Sequence, residues 1–247
     1  MNHNPKLRRQ NINVKSLYPL NSIPEDIIIK FFSHIVYLIS IGNDDLTGDD
    51  ISIAFAKAID GTFHKTRDGL VDVSYCKQAW SIKTVKHKKP FQVRHIRLIS
   101  GRNNVLYSYK EEANLNDIVK TGEQVVEIWN ARVDQVRQEY TDFRTLVVVR
   151  SNDLKEFVIF EEDTIKYTPN DYTWISNSKD NLIAVNRTTK QQTFTWQPNG
   201  SQFTIHKNVP VTASKYALNQ PEIISEDKVL ENIGYNKNWV HFMLKEE

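Results

Sequence analysis

The sequence predicts an α/β fold in which helices cover a mixed β-sheet, with a β-rich region following it. Apolar residues recur at helical spacing in residues 23–41 and 118–140, which predicts two buried helices. Two short runs with strand-like alternation, residues 70–75 and 79–85, are joined by a tight connection and predict a hairpin. The nearly continuous apolar run at residues 144–150 is typical of a strand that is buried on both faces.

Composition sets the outer limits of the interpretation. The chain has 247 residues, enough for one large domain or two modest ones. Its net charge is only +2, so binding to nucleic acid would require a local basic face. The single cysteine, Cys76, excludes an internal disulfide and suits a reducing compartment. Residues 2–9 are polar and do not resemble a signal peptide, and the apolar run 27–41 is too short to span a bilayer. We therefore expect a cytoplasmic protein with no membrane partner.

The N-terminal part is predicted to be an arm followed by helices. Residues 1–22 are rich in Asn, Lys and Arg, and are predicted to form either a tethered or frayed arm or a basic arm that contacts phosphates. The first helix follows Ser22 and ends at Gly42. A second helix opens at Thr47 and is stopped by Asp60-Gly61.

The predicted hairpin is the second and third strands of the sheet, after a short strand at residues 62–66. If its two strands pair, Asp72 and Lys83 come side by side at one end of the sheet. A carboxylate and an ammonium group placed in this way can hold a divalent metal and polarise a water molecule beside it.

The later elements complete the predicted core and the β-rich region. A strand at residues 92–100 ends in a turn at 101–104, and the apolar strand 144–150 has a hairpin mate at 156–161. Turn residues cluster from residue 164 onward. We predict further strands at residues 182–186, 192–197 and 202–206, a helix at 225–233 and a last strand at 239–244. The predicted divisions are an N-terminal arm and helix (1–43), a core (44–163) and a β-rich subdomain (164–247).

The hairpin motif resembles that of the PD-(D/E)XK nuclease superfamily, and is most similar to type II restriction endonucleases. Asp68-Gly69-x-x-Asp72 lies on one strand, and an apolar-polar-x-Lys pattern ending at Lys83 lies on the next. The order of helix, three strands, long helix and strand is also the αβββαβ order of the restriction-endonuclease-like core. The resemblance implies Mg²⁺-dependent cleavage of double-stranded DNA. Asp72 and the main-chain carbonyl of Ile82 would bind the metal, and Lys83 would orient or help to deprotonate the attacking water.

Ser81 departs from the motif, because the family usually has an acidic residue or Gln two positions before the lysine. A hydroxyl is a weak ligand for a hard cation, so a second carboxylate would come from elsewhere and Ser81 would position water. The resemblance favours Asp50, on the helix before the hairpin, with Asp49 and Asp45 as further candidates. The structural alternative is that these acids only stabilise the start of that helix.

Basic and amide side chains on turns and strand ends are the candidate DNA contacts, because such groups bind phosphates and base edges. They are equally common on solvated surfaces. The candidates are Lys86, Lys88, Arg102, Asn103, Asn104, Arg187, Gln197, Asn199 and Gln202.

Several other functions lack their usual motifs. No glycine-rich phosphate loop, cysteine-based zinc site or Gly-x-Ser-x-Gly elbow is present in the sequence. The sequence therefore predicts a sequence-specific DNA endonuclease, and a homodimer is compatible with this function. A binding protein that keeps the nuclease fold without catalysis is the alternative that Ser81 favours. A protein-interaction module with an incidental hairpin is the third.

Overall fold

The computed structural model describes residues 16–65 and 69–241, which form a mixed α/β fold with two β-sheets. The helices are α1 (Glu25–Ser40), α2 (Gly48–Ala58), α3 (Val105–Tyr109), α4 (Ile118–Glu139) and α5 (Glu226–Asn232). The strands are β1 (Thr62–Phe63), β2 (Val73–Tyr75), β3 (Gln78–Lys86), β4 (His95–Arg102), β5 (Asp142–Arg150), β6 (Glu156–Asp163), β7 (Tyr172–Ser176), β8 (Leu182–Asn186), β9 (Gln192–Gln197), β10 (Gln202–Asn208) and β11 (Ser214–Ala217).

The first sheet is mixed and has the strand order β1-β2-β3-β5-β6-β11. Strands β3 and β5 are parallel, and their register runs from Gln78 opposite Asp142 to Lys86 opposite Arg150. A parallel pair needs a long crossover connection, and helix α4 lies in that connection. The other pairs in this sheet are antiparallel. Along the chain, α2 is followed by the paired strands β1, β2 and β3, and α4 by β5, with β4 and α3 between β3 and α4.

The second sheet is antiparallel, with the strand order β4-β10-β9-β8-β7. Strand β4 belongs to it although β4 lies in the predicted core by sequence. Strand β11 crosses in the other direction and pairs with β6 of the first sheet. The chain leaves the first sheet at the predicted boundary, residue 164. However, β4 precedes this boundary and lies in the second sheet, and β11 follows it and lies in the first.

The first sheet is covered on both faces. Helices α1 and α2 pack on one face, where Phe31, Ile35 and Phe55 join Trp80 and Leu146 in a buried cluster. On the other face, α4 and the second sheet form two further clusters. This double coverage explains why β5 carries the uninterrupted apolar run Leu146–Val149.

The residues preceding α1 are fastened to the first sheet by a buried polar cluster. The Tyr18 hydroxyl donates to Glu161 at 2.9 Å, and the Arg144 guanidinium donates to the Tyr18 carbonyl oxygen at 2.9 Å. Arg144 also pairs with Glu161 at 3.3 Å, and both side chains are almost completely buried. The described part of the predicted arm is thus a docked segment, whereas residues 1–15 lie outside the described residues.

Several predictions about single elements need correction. Helices α1, α2, α4 and α5 and strands β8 and β9 lie where the sequence places them, within two or three residues. Helix α3 and strands β7 and β11 were not predicted. The predicted strand at 239–244 begins in a 3-10 turn, Lys237–Trp239, and its last three residues lie outside the described residues. In the part of the chain that the structure describes, no helix is long and apolar enough to cross a membrane.

Gly122 is needed where α4 packs against Trp174. A Cβ atom at Gly122 would lie 2.1 Å from the indole Cδ2 atom. We expect Gly122→Ala to lower the free energy of unfolding by about 1–2 kcal/mol, because the steric conflict exceeds the gain in helix propensity. Gly48→Ala is the matched control, since a Cβ there meets no atom within 4 Å. Urea unfolding of both variants checks this expectation, and an unchanged or raised stability for Gly122→Ala would contradict it.

Candidate active site at the β2–β3 hairpin

Asp72 is held between two neighbouring strands by its main chain. Its N–H donates to the Trp80 carbonyl oxygen at 2.9 Å, and its carbonyl oxygen accepts from the His64 N–H at 2.9 Å. Its carboxylate atom Oδ2 accepts a hydrogen bond from the Ile82 N–H at 2.6 Å. The carboxylate is therefore fixed at the start of β2, where β3 extends past its pairing with β2.

Asp72, Ser81 and Lys83 meet at this point. The Lys83 Nζ atom lies 3.9 Å from Asp72 Oδ2, and the Ser81 hydroxyl donates to the same oxygen at 3.4 Å. Ser81 and Lys83 share one face of β3 because they are two residues apart. The side chain of Asp72 is 37% exposed and that of Lys83 18%. The group is thus open to solvent on the Asp72 side and enclosed on the Lys83 side.

The enclosure changes the acid–base behaviour of Lys83. Burial lowers the pKa of the Lys83 ammonium, the Asp72 carboxylate raises it, and the positive charge of Arg132 lowers it further, so that the net direction is downward. A lysine with a lowered pKa more easily gives up its proton and accepts one from a water molecule. Lys83 can therefore act in proton transfer as well as in charge stabilisation.

The oxygen atoms near Asp72 fit a partial site for Mg²⁺. All the described contacts of the carboxylate involve Oδ2, which leaves Oδ1 open to a ligand. The Trp80 carbonyl and the Ile82 N–H both point toward Asp72, and by alternation the Ile82 carbonyl points to the same edge. Mg²⁺ in proteins is often held by one or two carboxylates, with waters and substrate phosphates completing the site. The donors present suit such an incomplete site.

The predicted second carboxylate is not brought to Asp72 by any described contact. Asp50 forms a capping box with Thr47, accepting from its N–H at 2.8 Å and its hydroxyl at 2.7 Å. Helix α2 also packs on the Trp80 face of the first sheet, opposite to the Lys83 face. Within residues 16–65 and 69–241, no group of three or more His, Cys, Asp or Glu side chains could hold a metal. Asp68 lies outside the described residues.

Asp45 and Asp49, the other candidates for the second carboxylate, also have structural roles. Asp45 pairs with Lys86 and Arg150 and thereby ties the loop before α2 to the ends of β3 and β5. These contacts hold the pKa of Asp45 low, at about 2. Asp49 lies in the first turn of α2, where a negative charge stabilises the helix.

Three of the predicted DNA contacts come together in the second sheet. Gln202 of β10 pairs with Arg102 of β4 on one side and with Gln197 of β9 on the other. The register between β4 and β10 shifts at this point, which is a β-bulge. Asn199 lies in the exposed turn between β9 and β10. We call Arg102, Gln197, Asn199 and Gln202 the polar row. The two residues that flank Arg102, Gly101 and Asn103, both contact Arg132.

The prediction that Asn103 contacts DNA is wrong for this structure, because its side chain is fully buried. Its amide nitrogen donates to the Val125 carbonyl at 2.8 Å, and its amide oxygen accepts from Arg132 at 3.3 Å. Asn104 uses its side chain to cap α3, where it accepts from the Tyr107 N–H at 3.0 Å.

The other basic candidates are separated from the polar row. Lys86 is engaged by Asp45, and Lys88 is exposed on the loop after β3. Arg187 lies after β8, where its Nε atom donates to the Tyr172 carbonyl at 3.2 Å. Among these candidates, Lys86 ends β3, the strand that carries Lys83, and Lys88 follows two residues later on the loop.

Two features of this region were missed in the sequence. Arg132 was predicted to face solvent, but it is half-buried beside Asn103. A groove on the second sheet is lined by His95, Arg97, Gln192 and His206, among others, and includes no Asp or Glu. Burial and the charge of Arg97 lower the pKa of His206, whose Nε2 atom lies 2.8 Å from the Thr195 hydroxyl and 3.1 Å from the Gln192 amide nitrogen. The alternation of polar residues in β4 was the only signal for this groove.

Comparison with known proteins gives no relative from which a function could be transferred. No protein-family model matches the chain, and neither the curated proteins nor the solved structures give a significant match. The function has to be inferred from the geometry of the site.

Proposed function

We propose that the protein is a Mg²⁺-dependent endonuclease that cleaves double-stranded DNA at specific sequences, of the PD-(D/E)XK type. One observation carries this proposal: the carboxylate of Asp72, the hydroxyl of Ser81 and the ammonium group of Lys83 meet beside β3, at the start of β2. The arrangement of β1, β2, β3, α4 and β5 supports it, because the order and directions agree with the core that the motif implies.

Each residue has a chemical part in the proposed reaction. Asp72 and the Ile82 carbonyl would hold Mg²⁺, which supplies positive charge to a phosphate oxygen and lowers the pKa of a bound water. Lys83 orients the attacking water and can accept its proton through its lowered pKa. In the protonated form, Lys83 stabilises the negative charge that develops on the phosphate in the transition state. Ser81 holds the Asp72 carboxylate and can position a water molecule.

The polar row and the groove support DNA as the substrate. Arg102, Gln197 and Gln202 offer the donor and acceptor groups that bind base edges. The groove adds Arg97, His95 and amide groups without a carboxylate among its lining residues. Both features lie on the second sheet. Arg102 of the polar row is next to Gly101, which contacts Arg132 on the active-site side. DNA cleaved at Lys83 could therefore be read by this sheet.

A DNA-binding protein without catalytic activity is the second candidate. Ser81 favours it, since it stands where the motif usually has an acid and its hydroxyl is a poor metal ligand. The capping role of Asp50 favours it as well.

Digestion of phage DNA separates the candidates. The wild-type protein is incubated with the DNA in Mg²⁺ or in EDTA, and the products are run on a gel. Discrete bands only in Mg²⁺ are expected from a sequence-specific endonuclease, whereas a smear would indicate a general nuclease. Intact DNA that is retarded in a gel-shift experiment would support the binding protein, and intact DNA without retardation would exclude both.

Lys83→Met is expected to abolish cleavage without destabilising the fold. The rate should fall on the order of 10²–10³-fold, because the variant loses both proton transfer and charge stabilisation. The free energy of unfolding should be unchanged or about 1 kcal/mol higher, since a half-enclosed cation beside Arg132 is removed.

The same lowered pKa gives this variant a pH signature. The pKa of Lys83 is lower in the folded wild type than in the unfolded chain, so the unfolded chain binds a proton more readily. The contribution of Lys83 to the free energy of unfolding is therefore largest above its ordinary pKa, and it is lost as the pH falls through the lowered pKa of the folded state. Lys83→Met should lack that part of the pH dependence in urea unfolding. Lys57→Met, exposed on α2, is the control. Loss of cleavage together with a stability loss above about 2 kcal/mol would instead indicate a structural role for Lys83.

A further inference from the structure

Arg132 is held in one position by a residue that is itself rigid. Its Nη1 atom donates to the side-chain oxygen of Asn103 at 3.3 Å. Asn103 is fully buried and is fixed by three hydrogen bonds besides the one from Arg132. Its amide nitrogen donates to Val125, its main-chain N–H donates to Ser201 at 2.8 Å, and its carbonyl accepts from the Trp196 indole at 2.9 Å. The buried asparagine therefore orients the guanidinium group.

Gly101 makes room for the same guanidinium. Its φ angle is +117°, a conformation that side-chain-bearing residues rarely adopt, and a Cβ atom there would lie 2.5 Å from Arg132 Nη1. Glycine thus satisfies two requirements at once, the backbone conformation and the close approach of Arg132. Gly101 also lies in the β-bulge of β4, a feature that is frequent beside active sites.

The surroundings place Arg132 in the candidate active site. It lines a small pocket together with Gly69, Leu70 and Val71, the residues directly before Asp72. Trp129, one helical turn earlier on α4, lines a second pocket with Lys83 and Ser100, the neighbour of Gly101. Arg132 therefore lies beside the segment that leads to Asp72, and its positive charge is close enough to Lys83 to lower the pKa of that lysine.

The charges in this region do not balance. Arg132 forms no ion pair with any carboxylate of the described residues, and its nearest described acceptor is the neutral Asn103 oxygen. Lys83 has the single carboxylate of Asp72 at 3.9 Å. The other carboxylates that line the two pockets are either exposed or paired with other cations: Glu139, Glu162 and Asp163. A half-buried guanidinium group without a paired carboxylate favours the binding of an anion, because an unpaired charge that is withdrawn from water is costly.

We propose that Arg132 and Lys83 form a phosphate-binding site, in which Arg132 holds a DNA phosphate next to Asp72. A guanidinium group presents paired N–H donors that match two phosphate oxygens. With Nη1 turned to Asn103, the remaining N–H groups of Arg132 are available for this contact. The identification of the ligand as DNA rests on the proposed function, whereas the affinity for a phosphate group does not.

Binding measurements without metal test this site. Inorganic phosphate is titrated into the metal-free protein while the NMR signals of the arginine Nε–H groups are followed, and a labelled DNA duplex is titrated in EDTA by fluorescence anisotropy. Phosphate should shift the Arg132 signal. Arg132→Gln should weaken duplex binding about tenfold and reduce the slope of log K against log salt by about one.

Matched variants separate the site from a general change in charge or folding. Arg132→Lys keeps the charge but loses the paired donors, so it should recover only part of the affinity. Gly101→Ala keeps Arg132 but displaces its guanidinium, so it should weaken binding as well. Lys120→Gln removes an exposed positive charge from the same helix, and it should leave binding unchanged. Thermal unfolding of each variant shows whether it is folded.

The outcomes distinguish this proposal from the proposed function. If the wild type cleaves DNA and folded Arg132→Gln binds duplex as tightly and cleaves as fast, the phosphate site is wrong and the endonuclease stands. If no DNA is cleaved but phosphate shifts the Arg132 signal, the site stands and the endonuclease is wrong. Equal weakening by Lys120→Gln and Arg132→Gln would also overturn the site, because it would indicate a general effect of charge.

Discussion

Asp72→Asn is expected to reduce the rate of DNA cleavage in Mg²⁺ by on the order of 10³-fold or more. Asparagine preserves the size of the side chain and can still accept the hydrogen bond from the Ile82 N–H. It removes the negative charge that would attract the metal and that pairs with Lys83. Folding should be nearly unaffected, because the side chain is more than a third exposed.

The control for Asp72→Asn is an exposed aspartate outside the candidate site whose backbone conformation asparagine can adopt. Asp60→Asn suits this purpose, since Asp60 has a positive φ angle that asparagine also tolerates, and its side chain is largely exposed. Cleavage rates of a plasmid substrate are compared for both variants and the wild type. A rate for Asp72→Asn within about tenfold of the wild type would show that Asp72 does not hold the metal.

Arg144→Met is expected to lower the free energy of unfolding by about 3–5 kcal/mol. Removing the guanidinium leaves Glu161 as an uncompensated buried charge, and burial already raises the pKa of that carboxyl. The Tyr18 carbonyl oxygen also loses its donor, so the segment before α1 should detach from the sheet. Urea unfolding measures the stability, and limited proteolysis near residues 16–21 detects the detachment.

A second substitution tests the reason for this loss. Glu161→Gln keeps an acceptor for the Trp80 indole and the Tyr18 hydroxyl but carries no charge. In the double variant with Arg144→Met, residue 161 no longer carries a buried charge. Asp142, the other partner of Arg144, is partly exposed and keeps its Ser16 and Gln78 donors, so most of the lost stability should return. A double variant as unstable as the sum of the two single variants would show that hydrogen-bond geometry, and not the buried charge, dominates.

The order of elements could be predicted because it depends on local patterns. Apolar spacing located α1 and α4, the start and stop residues at 47 and 60–61 located α2, and the alternation in residues 79–85 located β3. The pairing of β4 with β10 could not be predicted, since its residues are about a hundred positions apart in the chain and no local pattern encodes their register. Strands β7 and β11 were missed because β7 lies among turn residues and β11 has only short, exposed pairing.

The candidate site could be predicted only in part. Asp72 and Lys83 lie eleven residues apart on one hairpin, so local pairing was enough to bring them together. Arg132 and Asn103 come from α4 and the end of β4, and only tertiary packing brings them to the hairpin. The amphipathic pattern of α4 places Arg132 on the polar side of the helix, and this position is correct. The pattern does not show that the second sheet packs beside the helix and partly covers that side.

A paramagnetic metal titration tests the central claim most directly. Mn²⁺ is added to ¹⁵N-labelled protein with a DNA duplex, and the broadening of main-chain signals is followed in the wild type, Asp72→Asn and Asp50→Asn. We expect the signals of Ser81, Ile82 and Lys83 to broaden first in the wild type and to be spared in Asp72→Asn. Broadening that begins elsewhere, or that is identical in Asp72→Asn, would contradict a metal site at Asp72. Loss of the effect in Asp50→Asn would identify Asp50 as a further ligand.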